Sequence, residues 1–476
     1  MKKFWQVWVL GVMLAVGGLA LYLATGLENR HREDRPAARG PRAAKERAHL
    51  DHAAFFNAPF QRPQDVTLSC ARCHPRAGAD MLDTPHWNWL GQAVVVPGRS
   101  QPVRIGKKNL INNYCLGIQG NWGGCTKCHA GYGWVDDTFD FTRAENIDCL
   151  VCHERSGSYE KGPGGLPLPT VDLLAVARSV GYPKRENCGG CHNFGGGGLG
   201  VKHGDLDSTL DNPADTDDAH MGQHGFLCID CHKAPRHLIQ GRAFSVSVEH
   251  RNGLSCADCH PAVPHRDARI NSHLTAVACQ SCHIPRFARR VATKTDWDWS
   301  KAGDQSREDD PHTYLKIKGE FVYGHDLLPE YHWFSLSMTR YLLGDRIDPT
   351  AVTDINRPVG DIQDRTARIW PFKVNRGNQP YDQKNLTLMI PVTSGKGGYW
   401  TEFDWDQAIR LGAEKTRMDY SGEYGFAPTR MFWPLSHQVV PKEQALQCID
   451  CHGPQGRLDW SALGYDGDPV RTGGRR

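Results

Sequence analysis

The stretch from Cys125 to His153, "CTKCHAGYGWVDDTFDFTRAENIDCLVCH", opens and closes on the same five-residue unit, C-x-x-C-H, within 29 residues. Two thiols on one short turn can form thioethers to a porphyrin, and the histidine behind the second can then reach its iron. The unit occurs eight times, at Cys70, Cys73 and His74; Cys125, Cys128 and His129; Cys149, Cys152 and His153; Cys188, Cys191 and His192; Cys228, Cys231 and His232; Cys256, Cys259 and His260; Cys279, Cys282 and His283; and Cys448, Cys451 and His452. Zinc-binding cysteine pairs and redox-active C-x-x-C turns are the alternatives. Neither requires a histidine after every second cysteine, so eight covalently bound haems c are expected, each with the histidine of its unit on the iron.

Seven of these units share the 214 residues from Cys70 to His283. Porphyrin must there replace much of the side-chain core, and neighbouring rings must lie close enough to pass electrons. With 50 glycines and 29 prolines breaking up long elements, the predicted fold is mainly α with extensive irregular loops, a compact multihaem cytochrome c core and little β-sheet. The expected organisation is a seven-haem core at 65–290, followed by an aromatic-rich region at 291–476 that wraps it and carries the eighth haem. Residues 28–64 are charged and rich in Ala, Pro and Arg, and read as a flexible tether.

Residues 1–27 contain 24 consecutive uncharged positions, Phe4 to Leu27, behind Lys2 and Lys3. That length spans a bilayer. The apolar run is long for a cleaved signal and lacks a clear small-x-small cleavage site, so an uncleaved anchor is favoured over a cleaved signal. Either reading exports the chain, giving a periplasmic protein tethered to the inner membrane by an N-terminal helix. A net charge of +3 gives no reason to expect nucleic acid.

Of 23 histidines, eight belong to the signatures and 15 remain. A chain that only carried electrons would spend eight of them as distal ligands. His86, His220, His237, His250, His265, His273 and His437 are the candidates, with His203 and His224 in reserve; His325 and His332 lie far from any signature. The count falls one short, and "FGGGGLGVKHGDLD" (194–207) offers another donor. Its glycines allow a close backbone approach to a flat ligand, and the amine of Lys202, if kept neutral by burial, can bind iron. A solvated surface lysine is the alternative. Sixteen of the 17 cysteines serve the signatures, leaving Cys115. It is either an inert buried thiol or a thiol beside the Cys125/Cys128 haem, open to exchange with a sulfur substrate.

The order of the signatures, "NNYC" before the second, "HAGYGWVDDTFDF" leading into "NIDCLVCH", "VKHGDLD", "VACQSCHIP" and "SHQVVPKEQALQCIDCHG" together resemble the octahaem tetrathionate reductases, periplasmic cytochromes related in design to hydroxylamine oxidoreductases. The resemblance covers roughly residues 65–455. It implies an active-site haem on Cys125, Cys128 and His129, with Lys202 as an unusual distal ligand and the Cys115 sulfur nearby. It also implies a multihaem oxidoreductase that reduces tetrathionate to thiosulfate, with nitrite and hydroxylamine as further substrates of related proteins. The electrons would come from a membrane or periplasmic donor protein. The substrates named are small and two of them anionic, so Lys202, Lys107 and Lys108 are candidate binding groups; Asp205 and His203 are proton sources by position alone. Two rival readings stand beside this one. A substrate-less electron-transfer protein would need eight bis-histidine haems, and an oxidase acting on hydroxylamine would need a tyrosine, Tyr114 or Tyr132, crosslinked to the catalytic haem.

Overall fold

A computed structural model of the chain describes residues 48–242, 248 and 252–475. The expected anchor at 1–27, the tether up to residue 47 and the candidate ligand His250 lie outside the described residues. Among the described residues no helix is long and apolar enough to cross a membrane.

The signatures ride on short turns of helix. Seven lie on or end the helices Pro63–Cys73, Trp122–Thr126, Leu150–His153, Arg185–His192, Cys228–Cys231, Cys279–His283 and Cys448–Cys451, and the remaining one is the 3-10 turn Cys256–Asp258. One helical turn is what places two cysteines three apart on the same side. Where the residue before the second cysteine is aspartate, the carboxylate closes the turn. Asp230, Asp258 and Asp450 accept the backbone N–H of Leu227, Ser255 and Gln447 at 2.7, 2.9 and 2.7 Å, which satisfies a donor that the helix start leaves without a partner. Side-chain cores here are small: Phe56, Val66, Leu150, Val176 and Ala177 form one, and Trp89, Trp122 and Trp134 another. A two-stranded ladder of β1 (Ala93–Val94) and β2 (Val103–Arg104) adds little.

The region after His283 corrects the expected fold class. Instead of a loop-rich wrapping, it folds into an eight-stranded sheet of β3 (Thr293–Asp298), β4 (Tyr314–Leu315), β5 (Gly319–Gly324), β6 (Glu330–Phe334), β7 (Thr353–Asn356), β8 (Arg368–Asp382), β9 (Thr387–Leu388) and β10 (Tyr424–Pro434). The order is β4-β5-β3-β8-β10-β7, with β6 and β9 also paired to β8. The molecule is therefore a mixed α and β cytochrome rather than a mainly α one. β8 is the spine, antiparallel to β10 along Phe372–Asp382 and parallel to β3 from Arg376 to Asn378.

Aromatic residues, which suit a pleated surface, build the sheet's own core. Trp297, Trp299, Phe321, Tyr399, Trp405 and Trp433 pack together. The helix Trp405–Thr416 lies on that cluster because Trp405, Ala408, Ile409, Gly412 and Ala413 fall on one helical face. Gly412 is required there: a Cβ would sit 1.8 Å from the Ile390 carbonyl oxygen.

Candidate functional site

Seven signature histidines each face a second histidine ring. His74 is opposed by His52, His153 by His237, His192 by His86, His232 by His437, His260 by His220, His283 by His265 and His452 by His273, with ring centres 6.1 to 6.4 Å apart. Two imidazoles bridged by one metal, with metal–nitrogen bonds of roughly 2 Å, put their ring centres roughly 6 Å apart. The donor sets thus fit seven bis-histidine irons.

The tautomers agree. His153, His232 and His452 engage Nδ1 with Gly181 O at 3.0 Å, Gln240 O at 2.7 Å and Asp468 at 2.6 Å, which leaves Nε2 as the ligating nitrogen. Six of the distal candidates, His86, His220, His237, His265, His273 and His437, take part in these pairs. The remaining partner, His52, comes from the stretch read as tether. His224 sits against Phe226 and His203 edge-on to Trp433, 4.9 Å between centres, so neither reserve opposes a signature histidine.

His129 is different. Its Nε2, the atom expected on the iron, lies 2.8 Å from the Trp87 carbonyl oxygen, while Nδ1 is buried without a hydrogen-bond partner. The ring is caged by Trp87, Trp134, Phe139 and Phe141, and burial brings its pKa down to about 3. No histidine among the described residues opposes it at the spacing of the other seven. Behind it, Lys161 Nζ donates to His129 O at 2.6 Å and pairs with the buried carboxylate of Asp148 at 2.8 Å.

The glycine run brings Lys202 and Cys115 to this second signature. Gly196 and Gly197 have φ of +82° and +100°, and a Cβ on Gly197 would lie 2.9 Å from the Cys115 sulfur. The Cys115 thiol donates to Gly196 O at 3.2 Å. The Lys202 side chain passes along Gly195 and Gly196, with 3.1 and 3.2 Å from its atoms to a Cβ placed there. So the glycines are needed on two sides at once: one admits a thiol, the others a lysine chain. The Lys202 amine lies 4.8 Å from the Trp433 ring centre. Burial and the charge of Lys107 bring it down to about 8, with the Cys128 sulfur pulling the other way. Cys115 is in turn an electrostatic neighbour of Cys125.

The sheet holds this loop. Lys373, fully buried on β8, donates to Val201 O at 2.7 Å, Lys202 O at 3.1 Å and Thr293 Oγ1 at 2.5 Å. Thr293 on β3 passes its own hydrogen to Gly200 O at 2.5 Å. The Tyr114 hydroxyl adds a third donor to this end of the loop, reaching Lys202 O at 3.0 Å. Tyr132 donates to Asp148 Oδ1 at 2.9 Å, so both tyrosine hydroxyls are committed to other partners.

Asp205, expected as a proton source, is turned to a different task. Its Oδ2 accepts from Ser436 N at 2.7 Å, His437 N at 3.0 Å and His437 Nδ1 at 3.2 Å. Although burial opposes it, this hydrogen bonding and the His437 charge hold the carboxyl down at about 2. It orients the histidine that faces His232.

Thiols of different signatures also meet. Numbered in chain order, signatures 1 and 3 touch through Cys70 and Cys149, 2 and 4 through Cys128 and Cys191, 4 and 5 through Cys188 and Cys228, and 6 and 7 through Cys256 and Cys279. Electrostatic neighbours join 3 to 4 through Cys152 and Cys188, 5 to 6 through Cys231 and Cys259, and 7 to 8 through Cys282 and Cys451. The line runs 1-3-4-5-6-7-8. Signature 2 joins it at 4 alone among the described residues, and it is also the signature without a histidine pair.

Two comparisons agree with this architecture and a third gives a further relative. The bacterial cytochrome c family matches residues 294–455. A solved octahaem cytochrome c from Shewanella oneidensis is 45% identical, superposes with a TM-score of 0.84, and the match covers 89% of this chain and 98% of that one. An uncharacterised protein from Archaeoglobus fulgidus is 24% identical over 242 residues, 40% of this chain and 80% of that protein.

Proposed function

Because the chain belongs to the octahaem cytochrome c family, we propose that it is a reductase in which seven bis-histidine haems carry electrons to one catalytic centre at Cys125 and Cys128, with tetrathionate as the substrate. The observation that carries this reading is the asymmetry of the eight sites: seven histidine pairs, and one site where a lysine amine and a free thiol gather instead. A wire has no use for such an exception. The haem c attached there supplies, when bound, an iron that cycles between two oxidation states and passes one electron at a time.

The chain's own groups divide the rest of the work. Lys202 is the amine placed to hold the iron, and Lys373, Thr293 and Tyr114 hold Lys202 by its backbone. His129 is the histidine of this signature that would hold the iron from the other side, its ring kept in place by Trp87, Trp134, Phe139 and Phe141. Burial pushes the Cys115 thiol up, so it meets the substrate protonated and acts as a sulfur surface rather than as a competing anion. Tetrathionate (S4O6 2−) takes two electrons, its central S–S bond breaks, and it leaves as two thiosulfates (S2O3 2−); no proton is consumed. The electrons come from a membrane or periplasmic donor protein, and the molecule acts in the periplasm, tethered by residues 1–27. Nitrite and hydroxylamine are smaller substrates for the same centre.

Turnover of the exported holoprotein with a chemical electron donor, against tetrathionate, nitrite and hydroxylamine in parallel, tests the proposal. Tetrathionate should be consumed with two thiosulfates formed per molecule. Lys202→Ala should lower kcat by 100-fold or more, in the range for losing a group that orients or stabilises the reacting centre, and should remove one amine-type low-spin signal. Haems that reduce and reoxidise normally while no substrate is consumed would return the molecule to the class of electron carriers.

A further inference from the structure

Cys115 borders a cluster of donors that have no acceptor. Lys294, on β3, is 3% exposed. An irregularity in the β3–β5 register between Lys294 and Asp296 inserts an extra residue, which puts Lys294 on the same face as Trp297. Its amine lies 3.5 Å from the Trp297 ring centre, 3.8 Å from Phe321 and 5.3 Å from Tyr323. No carboxylate or hydrogen-bond acceptor for that amine is found among the described residues. Lys318, half-buried just before β5, has among the described residues only the Trp400 ring, 5.7 Å away, and Trp400 Nε1 is a buried N–H with no partner. Lys294, Lys318 and Cys115 are electrostatic neighbours of one another, and Cys115, Trp400 and Tyr323 all pack on the aromatic cluster that holds Trp297.

Ring faces attract an ammonium but do not replace the hydrogen bonds it gave up. A second lysine nearby makes the burial of the first costlier still. Donors left in this condition around one thiol have the chemistry of a site waiting for an anion. We propose that Lys294, with Lys318 and Trp400 Nε1, forms the subsite that binds the sulfonate end of a thiosulfate-type or polythionate anion and sets its sulfur against Cys115. The inference names the substrate-recognition part of the centre proposed above and rests on that reading for its ligand, though its test does not need turnover.

In the holoprotein Cys115 is the one cysteine outside the eight signatures, so alkylation reports on it alone. The exported holoprotein is treated with iodoacetate, an anion, and with iodoacetamide, its neutral counterpart, and the two rates at Cys115 are read by mass spectrometry. The ratio of iodoacetate to iodoacetamide rates should fall about tenfold in Lys294→Met, the scale of electrostatic steering into a cleft. It should fall less in Lys318→Met and be restored in Lys294→Arg, with haem spectra unchanged in all three. Thiosulfate should slow both reagents in the wild type and not in Lys294→Met. A ratio that stays the same in Lys294→Met overturns the subsite, and so does a wild-type Cys115 that resists both reagents. If the ratio falls as expected and no tetrathionate is turned over, the anion subsite stands and the reductase reading fails.

Discussion

From Pro63 to His283 the longest helix has 11 residues, and the buried side chains form small separate clusters beside the histidine pairs. From Thr293 to Pro434 a single strand, β8, runs 15 residues with partners along both edges, and tryptophans and phenylalanines fill the space around it. The first region borrows its core from a ligand, and the second makes its own. The centre at Cys125 stands where they meet: the first region supplies the signature and the loop, and the second supplies Lys373, Thr293, Lys294 and Trp433. In a site built this way the sheet carries the load of positioning the loop, through Lys373 and Thr293.

The widest separation between the regions should come from removing haem. In full-length chain produced without haem attachment, amide exchange across residues 65–283 should rise by a factor on the order of a thousand or more, as expected for segments with no packed core, while β8 and β10 stay protected. Loss of protection in both regions together would show that the sheet depends on haem as much as the signatures do. Next in size, Lys373→Met leaves Val201 O and Thr293 Oγ1 without their buried donor, while Lys202 O keeps only the Tyr114 hydroxyl. It should cost about 3–5 kcal/mol in denaturant unfolding and shift the spectrum of one haem out of eight; an unchanged spectrum would mean the loop holds Lys202 by itself.

The smallest effect lies wholly inside the sheet. Burial alone would raise the Glu330 carboxyl on β6, but the nearby His332 imidazole, 3.7 Å away, and the hydrogen bond from Arg376 at 2.7 Å hold it down at about 2. A depressed carboxylate adds stability above its unfolded pKa of roughly 4 and loses it as pH falls through about 2. Since Arg376 is half exposed, Glu330→Gln should cost no more than about 1 kcal/mol at pH 7. That difference should vanish toward pH 2, with every haem spectrum unaltered. A haem shift in this variant would tie the outer sheet to the signatures more tightly than the contacts imply.

How far each region could be read from sequence follows the same division. Covalent attachment demands a fixed spacing of cysteines and histidine, so the eight signatures were legible, and six of the candidate distal histidines lie opposite signature histidines in the fold. His52 escaped because its neighbours, "HLDHAAFF", look like the charged, alanine-rich tether before them, and the ring pairs with His74 only through the fold. The sheet escaped for a different reason. β8 reads "RIWPFKVNRGNQPYD", with two prolines and a glycine that ordinarily speak against a central strand, and long buried runs hide the two-residue alternation that marks a half-exposed one. The strand tolerates them because it changes partner along its length, from β6 to β3 to β9. Lys202 and Cys115 could be singled out as an oddity and a remainder. That Asp205 serves His437, and that Lys373 serves Lys202, depends on residues 171 or more positions apart in the chain.

The joining of signature 2 to the line at signature 4 has a consequence for damage. A catalytic group in the middle of a single file would be cut off from one whole side by any broken link. Here two arms meet at the junction, signatures 1 and 3 on one side and 5 to 8 on the other, and each reaches signature 2 without crossing the other. If signature 2 is the catalytic centre proposed above, an oxidised or misassembled site on either arm would close one supply and leave the other open. Only signature 4 is a single point of failure, and its two histidines, His86 and His192, come from opposite sides of the second signature in the chain.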